Sequence, residues 1–510
     1  MAGASPVPHR GIVVMSTIAA TLMQTLDSTI ANVALPHMQG SLSATADQIT
    51  WVLTSYIVAT AVMTAPVGWL STRFGRKNFF VFCLAGFTVA SALCGLAQSL
   101  EQIVLYRVIQ GMTGAAIVPL SQSIMMDLYP PEERGSAMAM WGMGVMVGPI
   151  IGPTLGGWLT DMYDWRYVFF INVPVGIAAV FGIWTFLKAP AANRSLRFDW
   201  TGFVVLAAGL GALQLMLDRG AQNEWFASLE IVAETVIAGL GLYLFVVHIC
   251  LAEKPLIPLG LFANTNFSVG LVMMLCIGAI LVASVVLLGT YLQTLGGYSV
   301  WEAGLLLAPR GLGTMAAMML AGRLADRFDP RLVMLFGFTT LGFGLMQMAT
   351  WTPDIDRFTI VWVTMVQGFA LGMIFVPLQV LAFATMPPQY RTDGTAFFSL
   401  VRNVGSAVGI SVTTFVLSNA TQIAHARIAE TLTPFNRMIQ TGGAYLLWNS
   451  ATGRGRAALN GEVTRQAMQI AYAQDFLLLA LVVIPPALML ILMRRPARLG
   501  GPGMVHAMAD

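Results

Sequence analysis

Two ionisable residues sit inside long apolar stretches of this chain, where a charge is expensive. Asp27 stands in QTLDSTIANVALP, about two-thirds along the first stretch, and Arg107 stands in YRVIQGMTGAA of the fourth. Within a bilayer either side chain is functional by default and needs a partner. Thr17, Thr21, Gln24, Asp27, Ser28 and Asn32 recur at three- and four-residue spacings. On a helix they make one polar stripe, which faces a cavity rather than lipid. A carboxyl in such a place can load and release a proton near physiological pH; the other reading is a fixed hydrogen bond or ion pair. Arg107 shares its face with Gln110, Gly111 and Gly114. Its guanidinium stays charged, so it takes part either in proton coupling or in a static pair.

Further residues qualify as substrate or ion-pair candidates: Gln24, Asn32, Gln110, Arg310 after Pro309, and Arg402 beside Ser399, Asn403 and Ser406. Either arginine can bind an anionic substrate or pair with an acid. Glu230 and Glu234 share a face near the outer end of the eighth stretch and read as snorkelling to the interface. No enzyme chemistry is visible. There is no GxxxxGK[ST] phosphate loop, so ATP is not the direct energy source. His9, His37, His248, His425 and His506 have no ligand spacing, and the four cysteines read as small apolar residues. No metal and no cofactor are expected.

The elements that position these residues are membrane helices. Of 510 residues, 57% are hydrophobic and 10% charged, with a mean hydropathy of +0.74; soluble domains carry about 25% charged residues. A net charge of +3 gives no reason to expect nucleic acid. The first apolar run, about 24 residues, is too long for a signal core. A span needs about 20 apolar residues, and fourteen segments qualify. They include 12–35, 49–71, 101–125, 136–159, 395–418 and 472–493. With the N-terminus inside, sixteen arginines and lysines fall in cytoplasmic segments and three in short outer loops. Five more lie in the long 419–471 loop, where charge matters less. Both termini are therefore expected in the cytoplasm.

GWLSTRFGRK (68–77) resembles GRLADRFDPR (322–331), and Gln110-Gly111 with Val118-Pro119-Leu120 echoes Gln367-Gly368 with Val376-Pro377-Leu378. Both echoes are eight helices apart, so two extra helices separate six-helix halves. The organisation reads 6 + 2 + 6: 1–195, two linking helices in 196–260, and 261–510. The 419–471 loop, too polar to span, reads as an outer spacer or docking surface, with an amphipathic helix possible at 419–433.

In the fifth segment Gly144, Gly148, Gly152 and Gly156 recur every fourth residue, followed by Gly157; Pro149 and Pro153 are also four apart. The glycines let a neighbouring helix approach to backbone contact, and the prolines bend the helix. This is either a tightly packed helix or a seam about which two halves rock. In the second loop Gly68, Arg73, Gly75, Arg76 and Lys77 make a tight turn with basic residues against helix ends and headgroups.

These motifs carry a resemblance. GxxxGPxxGPxxGG looks like the antiporter signature of the major facilitator superfamily. LDxTxxNVALP around Asp27 and RxxxGxxGA from Arg107 resemble the helix-1 and helix-4 motifs of its fourteen-helix drug:proton antiporter family, in which the arginine is linked to proton transfer. Residues 68–77 match its cytoplasmic loop motif, with one departure. The usual acid is Thr72 here, while the repeat copy keeps Asp326, which puts an acid-based latch in the first half in doubt. The resemblance implies an all-α polytopic membrane protein of the major facilitator fold. It implies proton-driven export of lipophilic drugs across a Gram-negative inner membrane by alternating access. It also implies a periplasmic membrane-fusion adaptor and an outer-membrane channel as partners, with 419–471 a contact for the adaptor. The alternatives are export of a physiological amphiphile, such as a fatty acid or siderophore, and a channel or sensor without coupling.

Overall fold

The computed structural model describes residues 9–130, 133–188, 193, 197–253, 255–432, 448 and 452–494. Helices are the only regular elements among them. The boundary between residues 195 and 196, the side chains of Pro153 and Asp326, and residues 433–447 lie outside the described set.

α1 (Arg10–Ser41) leads through the one-turn α2 (Ala46–Ile49) to α3 (Trp51–Thr64) and α4 (Val67–Phe74). The second apolar segment is therefore not one rod. It bends by 61° between α3 and α4, at Ala65–Pro66, where the proline has no N–H to give. Gly75, at φ 85°, turns the chain into α5 (Arg76–Leu96), a conformation a side chain would disfavour. Then come α6 (Leu100–Gly114), α7 (Ile117–Leu128), α8 (Arg134–Met162), α9 (Tyr167–Phe170) and α10 (Asn172–Phe186). α11 (Trp200–Arg219) and α12 (Leu229–Leu251) form a pair, followed by α13 (Thr265–Thr294), α14 (Val300–Arg327), α15 (Pro330–Ala349) and α16 (Arg357–Phe383). The chain ends with α17 (Arg391–Thr431), α18 (Gly453–Val482) and α19 (Ile484–Met489). Polar residues mark the starts. Ser99, Asp199, Asn264, Ser299, Asp329 and Asp356 each accept a first-turn N–H, which satisfies orphan donors. Hydrogen bonds from Thr359 hold the Asp356 carboxyl below the usual range.

Twelve helices among the described residues are long and apolar enough to cross a membrane, or thirteen with the bent α3–α4 pair. α1 is 32 residues long but is not one of them, because its polar stripe dilutes its hydropathy. The 419–471 stretch is not the loop its polarity suggests. α17 runs on to Thr431 and α18 starts at Gly453, so most of it is a helical pair, joined at His425–Asn460 by a 3.1 Å hydrogen bond.

Packing repeats along the chain. α1 lies on α8 as α13 lies on α17; α3 on α6 as α14 on α16; α5 on α6 as α15 on α16; α5 on α10 as α15 on α18. The α11–α12 pair stands outside this scheme, with α11 against α3 and α17.

The glycine face of α8 packs on α1, the helix that carries Asp27. Gly144 meets Ile18, Gly152 meets Thr29 and Gly156 meets Ile30. A Cβ at Gly148 would stand 2.7 Å from the Leu26 nitrogen and 2.8 Å from the Thr25 carbonyl carbon. Gly157 is looser, 3.9 Å from Val33 by the same measure. The prolines do not divide α8, which is one helix through Pro149 and Pro153. Close backbone packing is thus what this motif achieves here. Gly148→Leu should lower the unfolding temperature of the purified protein sharply, since overpacking costs about 1–3 kcal/mol or more. Gly289→Leu, into open space, should change stability by no more than about 0.5 kcal/mol. Equal effects would remove the seam's packing role.

Candidate functional site

Asp27 is fully buried, and so is Arg107. Arg107 Nη1 donates to Asp27 Oδ2 at 2.7 Å. Gln110 Nε2 and Asn172 Nδ2 donate to Asp27 Oδ1 at 2.9 and 2.8 Å. Three donors from α6 and α10 thus converge on one carboxylate of α1. Arg107 is itself held by three further contacts. Its Nε donates to Val52 O at 3.0 Å, its Nη1 to Gln110 Oε1 at 2.9 Å, and its guanidinium lies 4.1 Å over the Tyr56 ring. The Gln110 bond also fixes which end of that amide faces Asp27. Asn172 Nδ2 donates as well to Ser91 Oγ at 3.0 Å, and Ser91 Oγ to Phe169 O at 2.9 Å. Two groups remain unmatched: Arg107 Nη2 and Asn172 Oδ1 are buried with no hydrogen-bond partner.

The sequence names Asp27, Arg107 and Gln110, and the structure joins them. Of the other stripe residues, Gln24 reaches the cluster by donating to Tyr56 OH at 3.1 Å. Thr17, Thr21 and Ser28 bond back to their own helix. Asn32 is exposed and makes only a long 3.5 Å bond to Ser28 O, so it lies outside the cluster. Asn172, Tyr56 and Ser91 escape the sequence reading. Asn172 leaves one signal, a lone amide in the apolar run FFINVPVG.

A second constellation closes the basic end. Arg76 Nη1 donates to Ser123 Oγ at 3.2 Å and to Asp127, and Arg391 Nη1 donates to the other Asp127 oxygen at 2.6 Å. Ser123 and Thr392 hydroxyls are 3.1 Å apart, Thr395 donates to Pro119 O at 3.1 Å, and Gln122 bonds Gln379. Asp393 of α17 lies where a side chain on Gly68 would be, which gives that motif glycine its reason. The repeat copy does the same: Gly322 meets the Gly135 carbonyl of α8. Thr72 bonds its own helix at Gly68 O, 3.0 Å away. An acid comes instead from α7, so Arg76 of the basic motif has a carboxylate partner, Asp127, despite Thr72. Arg73 and Lys77 lie 5.9 Å over Trp69 and Trp184.

The two arginines of the later helices join neither group. Arg310 is buried, and its Nη2 donates to Leu281 O at 3.2 Å and Ser284 Oγ at 3.0 Å, while Nη1 has no partner. Arg402 opens onto a narrow crevice with Met146, Ile277, Thr314, Met318 and Phe375. Neither forms an ion pair with an acid among the described residues. Glu230 pairs with Arg219 instead of standing free. Among the described residues no cluster of His, Cys, Asp and Glu could hold a metal.

A model of the Major Facilitator Superfamily matches residues 17–410. Multidrug export protein EmrB of Escherichia coli (strain K12) is 37% identical over 428 residues, 83% of this chain and 84% of that one. Fatty acid resistance protein FarB of Neisseria gonorrhoeae is 34% identical over 496 residues, 96% of this chain and 97% of that one. Among solved structures, the proton:xylose symporter XylE superposes with a TM-score of 0.58, covering 94% of this chain and 95% of that one. At 14% identity that likeness concerns the fold alone. The relatives and the apolar helices make this a multi-pass membrane transporter rather than an enzyme. The chain belongs to the major facilitator superfamily, in the family of exporters that holds these multidrug-resistance proteins.

Proposed function

We propose that this chain exports lipophilic toxic compounds in exchange for protons by alternating access. The observation that carries the reading is Asp27, fully buried and tied to Arg107, Gln110 and Asn172. While ionised, Asp27 clamps α1 to α6 and α10. A proton removes one charge of the pair and leaves Arg107 uncompensated. The new O–H needs an acceptor, and a flip of the Asn172 amide would offer its free Oδ1. Breaking a buried pair costs about 3–5 kcal/mol, and inverting a two-state population takes about 5.5 kcal/mol. The two are of one size, so protonation is enough to bias a conformational change. One charge moving inward supplies about 2.3 kcal/mol per 100 mV. α1 would pass the motion to α8 through the glycine face.

Fourteen spans arranged 6 + 2 + 6 fit this reading. α1 would be the remaining span, since Thr17, Thr21 and Asp27 are buried against neighbouring helices, and the packing echoes at eight-helix spacing support residues 1–195 and 261–510 as halves around the α11–α12 pair. Both termini and the Asp127 latch then lie in the cytoplasm of a Gram-negative cell, with the latch closed. The α17–α18 pair projects on the outer side, where a groove of about 320 Å³ lined by Asn419, Ile423, Arg427 and Gln474 suits a membrane-fusion adaptor leading to an outer-membrane channel. A second reading, export of a physiological anionic amphiphile, is favoured by Arg402, which lines an apolar crevice and has no acid partner among the described residues. A guanidinium there suits a carboxylate.

Purified protein in proteoliposomes, given an imposed pH gradient, should accumulate a lipophilic dye. Asp27→Asn should keep dye binding and lose uphill accumulation; equal accumulation by both would remove Asp27 as the proton carrier. For the latch, Ser123→Cys with Thr392→Cys should cross-link readily without substrate. Adding Asp127→Asn should reduce cross-linking several-fold, and an unchanged yield would remove Asp127 from the latch.

A further inference from the structure

One more carboxylate is fully buried, and nothing above uses it. Asp475 of α18 is 0% exposed, and both its oxygens lack a hydrogen-bond partner. Asp27, equally buried, has three donors; Asp475 has none. Among the described residues no charged side chain pairs with it.

The surroundings explain why. α18 packs on α17, α15, α13 and α19. Between Arg402 and His425, α17 has no titratable residue, and α15 has only Arg331, which bonds Met493 O near the basic end. α13 offers Cys276 and Tyr291, and the Tyr291 hydroxyl is engaged with Thr352 O at 3.0 Å. α19 has none. On α18 itself Tyr472 pairs with Thr294 at 3.3 Å, and Phe476 packs 6.3 Å from Tyr291. An ionised carboxylate here would have no counter-charge and no donor, a state costing several kcal/mol. This packing therefore accommodates the neutral carboxyl better than the ionised one.

A route for its proton is also visible. Gln474, the preceding residue, and Ile470 line the outer groove with Asn419 and Ala420 of α17. A small separation of α18 from α17 would wet the carboxyl from that side. By helix rise, Asp27 and Asp475 both lie roughly 25–30 Å in from the basic end. We propose that Asp475 is a second proton-binding site, filled from the outer face, and that the seating of α18 on α17 and α13 is that of its protonated form. The proton comes from outer water and returns there when the carboxyl ionises. This stands whether or not Asp27 carries a proton.

The test is infrared spectroscopy of the full-length protein in lipid at neutral pH. Asp27→Asn should retain a carboxylic-acid C=O band that Asp27→Asn/Asp475→Asn lacks; identical spectra would overturn the proposal, and the Asp27→Asn background keeps that failure separate from failure of the antiport reading. A second readout is outside labelling of Asn419→Cys in a Cys250→Ser background by an impermeant maleimide. After correction for thiol ionisation with a free-thiol standard, labelling should rise several-fold with pH, because ionising Asp475 unseats α18. Adding Asp475→Asn should flatten that rise. If Asp475→Asn does not fold, a corrected profile in the Asn419→Cys protein that is already flat overturns the proposal by itself.

Discussion

A buried ion pair in a membrane protein is bound by one rule: neither charge can be left alone. Arg107 and Asp27 meet it at 2.7 Å, and much of the first half is built to keep them there. The Gln110 amide is oriented by the same arginine it supports. Val52 gives a carbonyl, Tyr56 a ring face, and Asn172 a donor held in turn by Ser91. Beyond Gln110 of α6 itself, these residues come from α3, α5 and α10, so the pair cannot change state without involving three helices besides its own two. Such a group is poor evidence for stability.

The glycine face of α8 ties a further helix to the one that carries Asp27. With no side chains between them, α8 and the Asp27 helix touch at Gly148 and Thr25–Leu26 almost backbone to backbone. Further along, α8 contributes Gly135 to the contact with Gly322 of α14, across the two sets of repeated helices. One helix therefore touches both the acid-bearing element and the other half. In the second half the arginine position is Thr364, whose hydroxyl bonds its own helix at Val361 O. The helix packing echoes there without the charge.

Much of this was legible in the sequence, for physical reasons. Charge inside apolar runs is rare enough that Asp27 and Arg107 announce themselves, and fourfold glycine spacing defines a face without coordinates. The partners were harder. Asn172 is one neutral amide, and a neutral amide costs too little to stand out. Asp127 and Asp393 were hidden because an acid at a membrane surface is ordinary; only the fold brings them to Arg76 and Gly68. Thr72 misled in the same way, since the missing acid is supplied from a helix distant in sequence. The break at Pro66 was missed because hydropathy does not register direction. In the 419–471 stretch the helix expected from 419 is the end of α17, which runs on to Thr431, and the helical start of α18 at Gly453 was not foreseen, because polarity says what solvent a segment meets and not whether it is helical.

α17 runs 41 residues without interruption, from Arg391 in the latch to Thr431. At 1.5 Å per residue it is a rod of roughly 60 Å, twice the thickness of the bilayer's apolar core. A rod of that length is a lever. Pivoted at its basic end, a tilt of roughly ten degrees sweeps its far end through roughly 10 Å. Whatever rests on that far end would feel each opening of the latch as a mechanical stroke, with no signal needed through the lipid.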